Sequence, residues 1–167
     1  VDFETVENDF PQSSYEMFVV ASYANNNRMR ERFYREAKNK GYKLLTYISS
    51  KSTFMAKSIG DNTFIFEDNT VQPFVEIGNN VILWSGNHIG HHSVIEDNVF
   101  VSSHVVISGL CRIGRNSFLG VNSTIRDGVK LGGYNTLGAA ALIVKDTPEG
   151  CVYVGAMASK WPLDADN

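Results

Sequence analysis

From Ile59 to Ile143 every sixth residue is aliphatic, running Ile59, Ile65, Val71, Ile77, Leu83, Ile89 and onward for fifteen positions without a slip of frame. A helix repeats near 3.6 residues and a half-buried strand at 2, so this period predicts neither a long helix nor a long strand. It predicts a chain that turns a corner once per hexad. The residues after each aliphatic position are rich in Gly, Asp and Asn. The residue two before the next one is small or Val, as at Thr63, Val81, Ser93, Cys111, Ser117, Ser123 and Ala141. Two side chains per hexad then point into a narrow prism and the rest face out.

A second period lies over the first. Every third hexad reads Ile59-Gly60-Asp61-Asn62, Ile77-Gly78-Asn79-Asn80, Ile95-Glu96-Asp97-Asn98 and Ile113-Gly114-Arg115-Asn116, until Leu131-Gly132-Gly133-Tyr134 drops the Asn. Three hexads therefore close one coil, and residues 18 apart become vertical neighbours at about the ~4.8 Å spacing of strands. Asn tolerates the left-handed backbone region, so one corner of each coil is expected to hold a positive φ there. The fold class is mainly β: a parallel β-helix of about five coils, a recognised reading of hexapeptide repeats. Burying the aliphatic positions contributes roughly 1.5–3 kcal/mol each before ordering entropy is subtracted.

The chain divides into a head at 1–58, the repeat at 59–148 and a tail at 149–167. In the head, Met17 to Tyr23 and Tyr42 to Ser49 read as strands and Asn27 to Lys40 as a helix closed by Gly41, a single βαβ step. The cluster Arg28, Arg30, Arg32, Arg35, Lys38 and Lys40 alternates with acids and apolar residues and reads as a solvated helix face. In the tail, Cys151-Val152-Tyr153-Val154-Gly155 reads as a closing strand that caps the prism. Trp161-Pro162 leads into a polar terminus expected to be mobile. The chain opens on Val1, so an upstream segment is expected.

A net charge of −3 and a pI near 5.8 argue against a nucleic-acid surface. Cys111 and Cys151 read as packing residues of a reducing compartment rather than a disulfide framework. No apolar run reaches membrane-spanning length, and the cytoplasm is the expected location.

All four histidines, His88, His91, His92 and His104, lie in the repeat. Imidazole is the side chain that exchanges protons near neutral pH. His91 and His92 follow Ile89-Gly90 and occupy a corner, so both should project outward. One coil above them stand Gly109-Leu110, and a Gly stacked on a His is expected to leave an open slot beside the imidazole. Gly132, Gly133 and Gly138 follow the hexad rule as turn glycines. Trp84, outward on the coil before His91, suits either an interface or a sugar-stacking face.

The stretch from Phe18 to Lys160 resembles the hexapeptide-repeat acyltransferases that acetylate sugar nucleotides, and the related sialic-acid O-acetyltransferases. The match rests on Phe18-Val19-Val20-Ala21 with Asn26-Asn27 and an Arg-rich helix, on His91, and on Phe118-Leu119-Gly120-Val121-Asn122-Ser123. The resemblance implies a left-handed β-helix and an acetyl-CoA-dependent acetyltransferase acting on an amino or deoxy sugar, nucleotide-linked, for surface polysaccharide or glycan synthesis. It implies His91 as the general base, with Gly109, Val121 and Ala139 along the pantetheine arm of acetyl-CoA, and a backbone N–H near Gly109 at the developing oxyanion. Trp84, His88 and His92 would contact the sugar. A homotrimer with interfacial active sites is implied in the same way, with no metal.

This sequence departs from the family at three places. His92 stands where a carboxylate often orients the catalytic histidine, leaving Glu96 or Asp97 as substitutes. The glycine-rich nucleotide loop is missing from the head, and Met157 stands where the tail usually has Pro. Sugar O-acetylation is the nearest alternative. A zinc enzyme like the γ-carbonic anhydrases, using His88, His91, His92 and His104, is another, and a non-catalytic scaffold a third.

Overall fold

The computed structural model describes residues 2–21 and 23–158. Residues 59–143 wind into a triangular column whose walls are stacks of two-residue parallel strands. The first wall runs from Tyr47–Ile48 through Phe64–Ile65, Ile82–Leu83, Phe100–Val101, Phe118–Leu119 and Thr136–Leu137 to Val152–Tyr153. The second carries Thr53–Phe54, Thr70–Val71, His88–Ile89, Val106–Ile107, Thr124–Ile125 and Leu142–Ile143, and the third runs from Ser58–Ile59 to Lys130–Leu131. Each coil sits on the one 18 residues before it, with Ile107 beside Ile89 and Ile113 beside Ile95. The column has about six turns, one more than the hexad count predicts.

The additional turn comes from pairing that begins at Tyr47–Ile48, before the first regular hexad. Tyr47 pairs with Phe64 at an offset of 17, and Thr53–Phe54 pairs with Thr70–Val71. At the other end Val152–Tyr153 closes on Thr136–Leu137, where the sequence places the capping strand. Inside, the aliphatic positions from Ile65 to Leu137 are buried, and Thr63, Ser93, Cys111, Ser117 and Ser123 fill the narrow places between them.

Left-handed backbone was expected at one corner of each coil; it recurs at all three. The third residue after each aliphatic position has φ between 51° and 73° at Asn62, Asp68, Phe74, Asn80, Gly86, His92, Asn98, His104, Leu110, Asn116, Asn122 and Gly128. The edge between the third and first walls uses Asn at four successive coils, Asn62, Asn80, Asn98 and Asn116, before Tyr134 ends the run, because there the Asn side chains are buried and bonded. The Nδ2 of Asn62 donates to Asn80 Oδ1 at 2.8 Å, Asn80 to Asn98 at 2.8 Å, and Asn98 to Asn116 at 3.3 Å.

The head is fastened to this ladder. Val19 exchanges two hydrogen bonds with the Asn62 side chain, and the Asn27 side chain donates to the carbonyls of Asn116 and Ser117. Met17 to Tyr23 and Tyr42 to Ser49 therefore do not pair as two full strands. One parallel bridge joins Met17 and Leu44, and Tyr47–Ile48 is spent on the column. The helix spans Arg28–Asn39, with Asn27 (φ 59°) before it and Gly41 (φ 87°) beyond its end.

The solvated-face reading of its basic residues fails at Arg30, which is fully buried. Its guanidinium donates to the carbonyls of Asn80, Asn98 and Val99. Burial pulls its pKa down to about 10. Asn27, Arg30 and Ala37 recur at helical spacing and all three are buried, so position on the helix, not residue type, decides which cation enters. Trp161-Pro162 and the terminus after them lie outside the described residues.

Candidate active site

The second wall ends in a sharp corner at Gly90. A side chain there would collide with the backbone of Ser108 and Gly109 at 2.4 Å, so only glycine lets the next coil settle on this one. His91 and His92 follow, both exposed. The His91 N–H donates to Gln72 Oε1 at 2.9 Å, and the His92 N–H to the Pro73 carbonyl at 3.2 Å. The His92 ring stacks on Phe74 with centroids 4.7 Å apart.

The two imidazoles meet edge to face, with Nδ1 of His91 3.1 Å from Nδ1 of His92. One nitrogen must carry the proton and the other accept it. When His91 is the donor, its Nε2 keeps a lone pair, which is the tautomer a general base needs. That Nε2 turns onto the glycine above: a Cβ on Gly109 would lie 2.8 Å from Nε2 and 2.9 Å from Cε1. The expected slot beside the imidazole is thus filled by the ring itself. Among the described residues the Gly109 N–H has no acceptor within the chain.

Neither carboxylate offered as an orienting group performs that role. Glu96 pairs with Arg112 and accepts from the Arg115 N–H, and Asp97 accepts from the Asn79 N–H at 2.7 Å. Both lie past the third wall, at the asparagine edge. The group beside the His91 ring is His92, itself stacked on Phe74.

The other predicted residues gather at the edge between the first and second walls. Trp84, Val121 and Ala139 line an open groove of about 720 Å³ together with Phe100, Phe118 and Tyr23. Tyr23, from the segment that climbs the asparagine ladder, packs on Phe118 at 4.7 Å and Phe100 at 5.4 Å. Trp84 lies 5.3 Å from the Phe66 ring. Gly120, Ser102 and Ser103 keep the floor shallow, and the N–H groups of Val121 and Ala139 have no acceptor within the chain among the described residues. A thin, amide-bearing chain such as a pantetheine arm fits small side chains flanked by free backbone donors.

Within one chain, then, His91, His92 and Gly109 come together on one edge, and Trp84, Val121 and Ala139 on another. His88 stands between them on the outer face of the second wall, beside Thr70 and Val106. Sequence reasoning missed the aromatic lining, although a signal existed: the residue before the aliphatic position is apolar at Phe64, Ile82, Phe100 and Phe118, each 18 after the last. It also missed Gln72 and Phe74. No group of three His, Cys, Asp or Glu side chains able to hold a metal occurs among the described residues of one chain.

A family model, the bacterial transferase hexapeptide (six repeats), matches residues 57–91 and 77–109. The chain carries the hexapeptide repeat of the bacterial transferases. Its repeat is 32% identical over 79 residues to an acyl-[acyl-carrier-protein]–UDP-N-acetylglucosamine O-acyltransferase of Burkholderia orbicola, covering 47% of this chain and 30% of that protein. The chain thus spans under a third of that curated relative's length. Among solved structures, the acetyltransferase domain of PglB from Neisseria gonorrhoeae superposes with a TM-score of 0.83 at 28% identity, covering 90% of this chain and 72% of that one. The same domain has been solved in complex with acetyl coenzyme A. Perosamine N-acetyltransferase from Caulobacter crescentus, in complex with CoA and GDP-perosamine, shares the fold at a TM-score of 0.81 and 21% identity, covering 90% and 70%.

These likenesses agree with the acyltransferase resemblance read from the sequence and with acetyl-CoA as the donor it implies. No helix among the described residues is long and apolar enough to cross a membrane.

Proposed function

We infer that this chain is an acetyl-CoA-dependent acetyltransferase whose acceptor is the amine of a nucleotide-linked amino sugar, working as a homotrimer with its sites between neighbouring copies. The observation that carries this reading is the His91–Gly109 pair: an exposed imidazole, steered by His92, whose Nε2 faces a glycine with a free backbone N–H. His91 removes the proton from the amine as it attacks the thioester carbon, a contribution of roughly 10²–10⁴-fold for a positioned base. The Gly109 N–H offers a hydrogen bond to the carbonyl oxygen as its charge grows. The groove on the other edge takes the pantetheine arm. Placing two edges of one column in one site requires a second copy, which is why the trimer belongs to the proposal.

The test is a screen of nucleotide-linked amino sugars, GDP-perosamine among them, with acetyl-CoA and detection of the released thiol. His91→Ala should keep the fold and lose transfer by roughly 10²-fold or more. Full activity in that variant sinks the assignment of the base.

A further inference from the structure

His104 has no part in the chemistry above, yet it occupies a built position. Its imidazole turns its Nδ1–Cε1 edge onto Gly86: a Cβ there would be 2.6 Å from Nδ1 and 2.7 Å from Cε1. Gly86 and His91 belong to one coil, between Leu83 and Val101, at opposite ends of the second wall. By folding down onto Gly86, the His104 ring reaches the level of His91 although its backbone sits a coil higher. It stands at the foot of the groove, next to Ser103, and the groove climbs away from it towards Ala139.

The His91 edge also asks for a covering surface. Phe74 and Leu110 bracket His92 one coil below and one above, exposed by 58% and 61%. Both hold φ above 60°, a conformation bulky side chains rarely adopt. Strained backbone and bare apolar side chains lie on one edge and an apolar groove on another, and a copy rotated about an axis parallel to the column would bring the two together with every level matched.

We propose that His104 of the partner subunit completes the site, its ring N–H hydrogen-bonding the thioester sulfur opposite His91. This rests on the acetyl-transfer reading above. The amine nitrogen forms the C–N bond, the C–S pair leaves with sulfur as thiolate, His91 takes the proton from nitrogen, and the partner's His104 stabilises the thiolate until it is protonated. The groove extends only upward from the histidines, so the thioester end of the donor is the end presented here.

The experiment uses His104→Asn, since Asn tolerates the φ of 57° at that position, together with His91→Ala, acetyl-CoA and GDP-perosamine. His104→Asn should lower kcat by about 10–100-fold with little change in the KM for acetyl-CoA, as expected for one lost donor to developing charge. Co-expressing the two variants in equal amounts should restore activity, because random trimers contain about one interface in four that joins an intact His91 to an intact His104. Undiminished activity in His104→Asn overturns the proposal, as does an inactive His104→Asn that mixing with His91→Ala fails to rescue. Sedimentation of the wild-type chain separates the two levels: absence of a trimer, or of thiol release with this pair of substrates, counts against the acetyl-transfer reading itself and removes the ground beneath both.

Discussion

Nδ1 of His91 and Nδ1 of His92 lie 3.1 Å apart, so the group hydrogen-bonded to the His91 ring is a second imidazole. His92→Asn keeps the left-handed corner and leaves an amide to bond Nδ1, whereas the stack on Phe74 is lost. It should lower kcat by about 10-fold, less than His91→Ala. Thiol-release kinetics on the two variants checks the order.

Gly109→Ala tests the seat of the proposed base, His91. The new methyl would stand 2.8 Å from Nε2, and the ring must swing away. Activity should fall by up to roughly 10²-fold, as a base misplaced by an ångström predicts. The melting temperature should barely move, because the corner is on the surface.

Arg30 fastens the helix to the ladder through carbonyls of two coils. Arg30→Leu leaves those acceptors buried and unpaired, and should cost about 2–4 kcal/mol. Arg30→Lys should recover little, since one ammonium lacks the planar fork that spans both coils. Denaturant unfolding of the three proteins measures the difference.

Alkaline pH should weaken the same junction through Tyr34. Burial, and next the hydrogen bond it donates to Asp61 at 2.6 Å, hold its hydroxyl pKa well above the ordinary value of 10.0. A raised pKa gives stability that is complete below pH 10 and lost above it, because the unfolded chain ionises first. Arg30, whose pKa burial lowers to about 10, contributes with the opposite sign as pH rises past that value, because the folded chain then releases its proton first. Comparing melting temperatures of wild type and Tyr34→Phe at pH 9 and 11 isolates the tyrosine: the fall should be smaller in the variant.

The two thiols should part in reactivity. Cys111 is buried, its pKa is raised by that burial, and its thiol donates to the Arg126 carbonyl at 3.1 Å. Cys151 is only partly buried. A thiol reagent at pH 8 should label Cys151 quickly and Cys111 only after unfolding.

The column was legible because a period of six leaves few alternatives once fifteen aliphatic residues keep it. Its first turn was not, because the spacing from Phe54 to Ile59 is five and the frame breaks there. Pairing tolerates that slip where a search for a fixed period does not. Arg30 was misread because residue type was weighed over its place on the helix. Gly90-His91-His92 read as a corner whose histidines point outward, and both rings are exposed there. The groove was legible only in part, because a quarter of its lining, Val20, Ala21 and Tyr23, is brought there by bonds to the ladder that no local pattern announces.

Stacked repeats commonly unzip one turn at a time from an end. Here a single stretch is hooked to the lower part of the column at Asn62 and to the upper part at Asn116, Ser117 and Tyr134. It acts as a splint along four turns, so the lowest of them cannot peel off alone, and melting should be all-or-none rather than gradual.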